Sequence, residues 1–249
     1  DFVPAEVDEN YRVEVEVVGD LAHALQMLND GVHDNPFEID PSRQHAVRHE
    51  MMQEISAYED DDTTGPMRPQ KVLADVRAAL GPNDVLLSDV GAHKMWIARH
   101  YQCYEPNTCL IPNGFASMGF ALPGIISAAM TSSERKVMAI AGDGGFLMNV
   151  QEMETARRLN SDIVVMVWED GGYGLIEWKQ DNTYDRHTDL SFGNPDWGKL
   201  ADSFGWSFDY VDESVKLLDV IKNSLETTGP SLIVVPIDYR ENAILTKRL

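Results

Sequence analysis

The chain has 249 residues, 20 of them basic and 41 acidic, for a formal net charge of −21. An apolar content of 43% supports a packed core and excludes wholesale disorder. The chain lacks any run of 18 apolar residues that could form a transmembrane helix, and its acidity argues against nucleic acid or an anionic membrane as the main partner. Two cysteines exclude a disulfide scaffold and fit a reducing, cytoplasmic setting. The acidity is uneven. Residues 1–64 carry 17 acidic and 3 basic residues, a balance of −14, whereas residues 65–249 carry 24 and 17, a balance of −7. Such an excess reads as a solvated surface or an adaptation to salt, with an acidic docking face as the functional alternative.

Phe2 and Val3 before Pro4 predict an extended start. Val13, Val15 and Val17 alternate with Glu14 and Glu16, which predicts a half-buried strand. Asp20 to Leu28 predicts a helix with Leu21, Leu25 and Leu28 on one face. Residues 1–28 thus read as the tail of a second α/β domain, and the chain as a piece of a longer or split protein. Residues 29–65 read as an acidic linker, with Gly31, Pro36, Pro41 and the run Glu59-Asp60-Asp61-Asp62. Its middle, from Pro41 to Tyr58, can hold a helix. His45 and His49 share the four-residue spacing of a zinc helix, but Ala46 stands where the catalytic Glu would follow, so they read as surface histidines.

From Pro66 onward the pattern changes. A helix over Lys71–Leu80 stops at Gly81-Pro82. Short apolar runs at 85–90, 137–141, 163–168 and 232–237 read as strands, among helical segments such as 151–159 and 215–225. Continuous apolar strands between helices predict an α/β fold, a parallel sheet covered by helices on both faces. Ligands of such sheets sit at the carboxyl ends of the strands, so the chemistry is sought there.

After the first strand comes Val90-Gly91-Ala92-His93, where Gly91 precedes a helix start whose free N–H groups favour phosphate; by itself His93 reads more readily as a surface residue. The stretch Asn113 to Gly124 mixes small residues with Phe115, Met118 and Phe120, either helix packing or a wall against a flat ring. Gly142-Asp143-Gly144-Gly145 follows the second strand and Asp170-Gly171-Gly172-Tyr173-Gly174 the third. A Gly-Asp-Gly alone is also an ordinary turn. Asp170 lies 27 residues after Asp143, a spacing that a strand–helix–strand crossover can bring to one sheet edge. Two carboxylates there make a hard oxygen site, and magnesium takes one or two carboxylates plus phosphate oxygens and water. Gly172 can add a backbone carbonyl. Cys103 and Cys109 are six apart, a spacing that fits no metal or redox pattern.

These loops, in this order, resemble the diphosphate-binding domain of thiamine diphosphate enzymes, whose signature is Gly-Asp-Gly followed 27 residues later by a metal-binding Asn or Asp. The stretches 90–96, 113–123 and 142–152 most resemble acetolactate synthase, and residues 1–28 resemble the end of that family's central domain. The resemblance implies thiamine diphosphate and Mg2+ as cofactors, with flavin dependence open. It implies that residues 66–249 bind the diphosphate and metal through Asp143, Asp170 and the Gly172 carbonyl. It matches Val90, Gly91, Ala92 and His93 to the first diphosphate-contacting loop and Ala116 to a carbonyl facing the aminopyrimidine. Met118 matches the apolar prop that keeps the cofactor bent, and Gly144, Gly145, Tyr173, Gly174 and Leu175 match further contacts. The implied reaction joins two pyruvates to 2-acetolactate with loss of CO2, in a homo-oligomer, dimer or tetramer, acting on small 2-oxo acids.

Three departures qualify this resemblance. Ala92 stands where Gln is common. Asp170 replaces the frequent Asn, an arrangement that the fermentative, flavin-independent branch also resembles. Lys179 stands where the biosynthetic branch has Trp. The family's activating glutamate lies on an N-terminal pyrimidine-binding domain, and no residue of this chain is assigned to it, so the catalytic acid is unknown here. Another thiamine diphosphate decarboxylase, a pyruvate oxidase and a non-catalytic cofactor-binding subunit remain open.

Overall fold

The structure, a computed structural model, describes residues 13–38, 40–131 and 134–245. It divides into two compact units, Asp1–Met51 and Met52–Leu249. The extended start expected at Phe2 to Pro4 lies outside the described residues. In the first unit, Asp20 caps helix α1 (Leu21–Asp34) by accepting the His23 N–H at 2.8 Å. The helix outruns its expected end by two turns. The strand expected at Val13–Val17 does not form. Its valines are exposed, and no ladder partner lies beside it among the described residues. Alternation alone does not make a strand, which needs a ladder with another segment. Helix α2 (Ser42–Ile55) falls within the stretch expected to hold one.

The second unit runs α3 (Pro69–Ala79), β1 (Val85–Ser88), α4 (Ala92–His100), β2 (Cys109–Leu110), α5 (Ala121–Thr131), β3 (Val137–Gly142), α6 (Asp143–Met148), α7 (Glu152–Arg158), β4 (Val164–Glu169), α8 (Gly174–Tyr184), α9 (Trp197–Phe204), β5 (Ser207–Tyr210), α10 (Ser214–Glu226) and β6 (Ser231–Pro236). A short 3-10 turn spans Asn242–Leu245. The six strands form one sheet in the order β2-β1-β3-β4-β6-β5, every pair parallel.

The period-2 alternation of each strand supplies both faces. Leu86, Met138, Ile140, Met166, Trp168 and Ile233 point to one side, against Val72 and Val76 of α3, Trp96 of α4 and Leu217 and Ile221 of α10. Leu87, Ala139, Val165, Val167, Leu232 and Val234 point to the other, against Ile125 of α5, Phe146 of α6, Met153 of α7 and Trp197 and Ala201 of α9. Burial of side chains of this size contributes about 1.5–3 kcal/mol each before entropy is counted, which is why the apolar runs become central strands. The two-face burial expected from those runs is what the sheet shows.

The edge strands β2 and β5 were not foreseen. β2 is two residues long, and β5 is partly solvated, so neither carries a continuous apolar run. Chain order also matters for function. From β1 the chain moves outward to β2, then returns to β3 on the other side of β1. The direction of winding therefore reverses between β1 and β3, and open α/β sheets bind ligands at such a reversal, outside the carboxyl ends. No helix among the described residues is long and apolar enough to cross a membrane.

Candidate functional site

The chain leaves β1 through Asp89, which is fully buried. Its Oδ1 accepts the N–H groups of Val90 at 2.8 Å and Phe120 at 3.2 Å, and its Oδ2 accepts that of Gly119 at 3.1 Å. Burial raises its pKa, and these N–H bonds work against that rise. Asp89 thereby ties the segment before α5 to the sheet, and Asn149 adds a second tie by donating to the Gly119 carbonyl at 2.7 Å. This segment carries Ala116 at φ 56°, a left-handed conformation that costs a residue with a Cβ, and then Met118. A Cβ on Gly145 would lie 2.7 Å from Asp89 Oδ2, so the second loop closes on the first only as glycine.

His93 occupies the first turn of α4 and is 2% exposed. Burial pushes its pKa down to about 4, against a hydrogen bond with the Asp89 backbone, so the ring is neutral above pH 5. Its Nε2 is buried without a hydrogen-bond partner. The ring stands edge-on to Trp168, centroids 6.3 Å apart and planes at 74°.

β3 ends at Gly142, and α6 begins directly at Asp143, ahead of the helical segment expected at 151–159. Asp143 is 1% exposed. Its Oδ1 accepts the Gly144 N–H at 2.7 Å. Its Oδ2 accepts the Gly171 N–H at 2.8 Å, the Asp170 N–H at 3.3 Å and the Asn194 side-chain N–H at 2.9 Å. The loops after β3 and β4 are thus joined through one carboxylate, as their spacing implied.

At the end of β4, burial first and the Asp143 charge second push the Asp170 pKa up to about 7. Gly171 takes φ 71°, which glycine adopts freely. Gly172 pairs with Ser191 in an isolated antiparallel bridge. A Cβ on Gly174 would lie 2.5 Å from Asp170 Oδ2, and one on Gly144 2.9 Å from the Tyr173 ring. The carboxylate and the aromatic ring therefore fill space that side chains would otherwise take.

One cavity of about 270 Å³ gathers these pieces. Val90, Gly91, Ala92, His93, Ala116, Met118, Asp143, Gly144, Gly145, Asp170, Gly172, Tyr173, Gly174 and Leu175, the residues that the resemblance matched to the cofactor site, all line it. Gly142, Ile176 and Tyr239 line it too and were not singled out. Tyr239 follows β6, so the strand-end rule pointed to it had it been applied to the fourth run. Asn194 had no such signal, because nothing in Gly193-Asn194-Pro195 announces a partner 51 residues back. Lys179 is exposed on α8, and His45 and His49 are exposed on α2.

Comparison with known proteins shows the family of the chain. A family model described as thiamine pyrophosphate enzyme, C-terminal TPP binding domain, matches residues 89–235. The chain is similar to "Acetolactate synthase" of Bacillus subtilis (strain 168), 32% identical over 245 residues, which covers 97% of this chain and 42% of that protein. It is similar to "Acetolactate synthase, catabolic" of Raoultella terrigena, 30% identical over 253 residues, which covers 100% of this chain and 45% of that protein. The chain therefore spans less than half the length of these curated relatives. Among solved structures, a thiamin diphosphate-dependent enzyme isolated from Mycobacterium smegmatis shares the fold, with TM-score 0.62 at 22% identity, over 72% of this chain and 33% of that one. With the matched stretch running from the end of β1 to β6 and enclosing both carboxylate loops, the chain belongs to the C-terminal TPP-binding domain family of thiamine pyrophosphate enzymes.

Proposed function

We propose that this chain is the diphosphate- and magnesium-binding part of a thiamine diphosphate-dependent carboligase that joins two pyruvates to 2-acetolactate with loss of CO2. The observation that carries the cofactor assignment is the meeting of Asp143 and Asp170 in one cavity with the unpartnered Nε2 of His93. The residues fit the group on three counts. The Asp143 charge adds to the cost of ionising Asp170, a conflict that a divalent cation resolves. The buried His93 ring has an Nε2 without a partner, which can donate to an anionic oxygen once that nitrogen carries the ring proton. The glycines at 91, 144, 145 and 174 line the cavity, where a Cβ would press on His93, Tyr173, Asp89 and Asp170.

In this reading Asp143, Asp170 and the Gly172 carbonyl hold Mg2+. The N–H groups of the first turn of α4, with His93, face the diphosphate. Ala116 and Met118 form the wall beside the organic part of the cofactor. When bound, thiamine diphosphate supplies the electron sink for decarboxylating one 2-oxo acid and joining the remainder to another. The protein's own work is to neutralise charge, fix orientation and keep water away from the reacting carbon. No residue of this chain stands for the family's activating glutamate, so catalysis is proposed to need a pyrimidine-binding domain or subunit and a homo-oligomeric assembly. The choice of acetolactate as product rests on the two relatives named acetolactate synthase, which align over nearly the whole chain.

The test is product analysis. The intact protein, supplied with thiamine diphosphate, Mg2+ and pyruvate, is expected to release CO2 and 2-acetolactate in equal amounts. Acetaldehyde or acetate as the sole organic product would assign the same site to a decarboxylase or an oxidase instead.

A further inference from the structure

We propose that Asn194 is a positioning residue that sets the Asp143 carboxylate for its cation, at the end of a strap, residues 190–194, that clasps the ends of β3 and β4 together. This rests on the cofactor site proposed above. The strap first fastens to the β4 loop through the backbone. Tyr173 donates its N–H to the Leu190 carbonyl at 3.1 Å, and Phe192 donates its own to the Gly171 carbonyl at 2.9 Å, flanking the Gly172–Ser191 bridge. The Phe192 ring packs on Tyr173 with centroids 5.1 Å apart, over the place where a Cβ on Gly144 would meet it at 3.1 Å. Glycine at 144 therefore lets the strap lie flat across both loops.

The strap then reaches the β3 loop through one side chain. Asn194 Nδ2 donates to Asp143 Oδ2 at 2.9 Å and to Glu169 Oε1 at 3.0 Å, so a single amide nitrogen spans two carboxylates from adjacent strand ends. The far carboxylate is itself fixed. Glu169 Oε1 also accepts the Trp197 indole N–H at 2.7 Å, and Oε2 accepts the Tyr210 hydroxyl at 3.3 Å. With Glu169 held from β5 and from the start of α9, Asn194 has one orientation available. Its Oδ1 is buried and has no partner, the result of turning the nitrogen toward both acceptors. Asp143 Oδ2 receives Asn194 and the Gly171 N–H, while Oδ1 receives only the neighbouring Gly144 N–H. Saturating one oxygen in this way turns the other toward the cavity, and outer hydrogen bonds of this kind orient metal-ligating carboxylates.

The experiment compares Asn194→Leu and Asn194→Ala with the unsubstituted intact protein, by calorimetric titration of Mg2+ in saturating thiamine diphosphate. Leucine keeps the branched shape of asparagine and removes the donor; alanine removes both. Both variants are expected to raise the Mg2+ dissociation constant at least 10-fold, with kcat at saturating Mg2+ changed less than about threefold. A midpoint that moves for alanine and returns to the parental value for leucine would reduce Asn194 to packing and overturn the proposal. A fall in melting temperature with an unchanged Mg2+ midpoint in either variant would overturn it too. If the unsubstituted protein takes up no Mg2+ with thiamine diphosphate, it is the cofactor site itself that fails, and the two failures are told apart by that control.

Discussion

Replacing Asp143 with alanine is expected to abolish Mg2+ binding and to destabilise the second unit by about 3 kcal/mol. The carboxylate accepts from the backbone N–H groups of Gly144, Gly171 and, at longer range, Asp170, and from the Asn194 amide, all in a position that is 1% exposed. Truncation leaves these donors in place without an acceptor, and each buried orphan costs about 1–3 kcal/mol, partly offset here because Asp170 loses a like-charged neighbour. Such a loss corresponds to a melting point lower by roughly 6–12 °C for a unit of this size. Asp143→Asn separates the two roles. It keeps the shape, and the three donors on Oδ2 hold the amide oxygen there, so most of the stability is expected to survive; the NH2 then replaces Oδ1, the oxygen left for the cation, and metal affinity is expected to drop sharply. Thermal melts and Mg2+ titration of both variants check this. An alanine variant that melts with the parent would remove Asp143 from the structural account.

The second large effect is on pH dependence, where two buried groups of the site act in opposite directions in the metal-free protein. His93 has a folded pKa of about 4 against an ordinary value of 6.5. The unfolded chain binds the extra proton between those values, so its contribution is fully present above pH 6.5 and is lost as pH falls toward 4, by about 3 kcal/mol in all. Asp170 has a folded pKa of about 7 against 3.8. Here the folded state holds the extra proton, so its contribution is present at low pH and is lost as pH rises from 4 to 7, by about 4 kcal/mol. The two slopes nearly cancel between pH 4 and 6.5. Each is uncovered by removing the other. His93→Asn is expected to make the metal-free protein less stable as pH rises through this window, and Asp170→Asn to make it more stable. Urea midpoints at pH 4.5 and 6.5 measure both, and slopes of the same sign in the two variants would refute the assignment. With Mg2+ present the Asp170 slope is expected to reverse, because the cation binds only the ionised form. Since an amide oxygen also binds magnesium, Asp170→Asn itself is expected to weaken cofactor retention only modestly.

The residues that sequence made legible are those whose chemistry is local. The runs at Val137 and Ile163 declared buried strands because nothing polar interrupts them, and strand-end glycines beside an aspartate declared loops that approach a ligand. The spacing of Asp143 and Asp170 carried a three-dimensional statement because a crossover has a nearly fixed length. What stayed hidden depends on partners distant in sequence. Ser207–Tyr210 becomes a strand only because β6 offers it an edge. Val13–Val17 has the better strand pattern and forms none. Asn194 and Glu169 look like ordinary polar loop and strand-end residues until the fold sets one nitrogen between two carboxylates. Asn149, just ahead of the helical segment read at 151–159, closes α6 and holds Gly119.

The edge-on contact of His93 with Trp168 gives the site a built-in optical signal. Trp168 is wholly enclosed, with the imidazole on one side and Tyr239 on another, ring centroids 6.2 Å apart. An indole so shielded emits at short wavelength, and its brightness responds to the charge and contacts of the imidazole against it. Any event that seats an anion on His93 changes the surroundings of that one fluorophore. Occupancy of the cleft is therefore written into the emission spectrum of the chain, without a dye and without turnover.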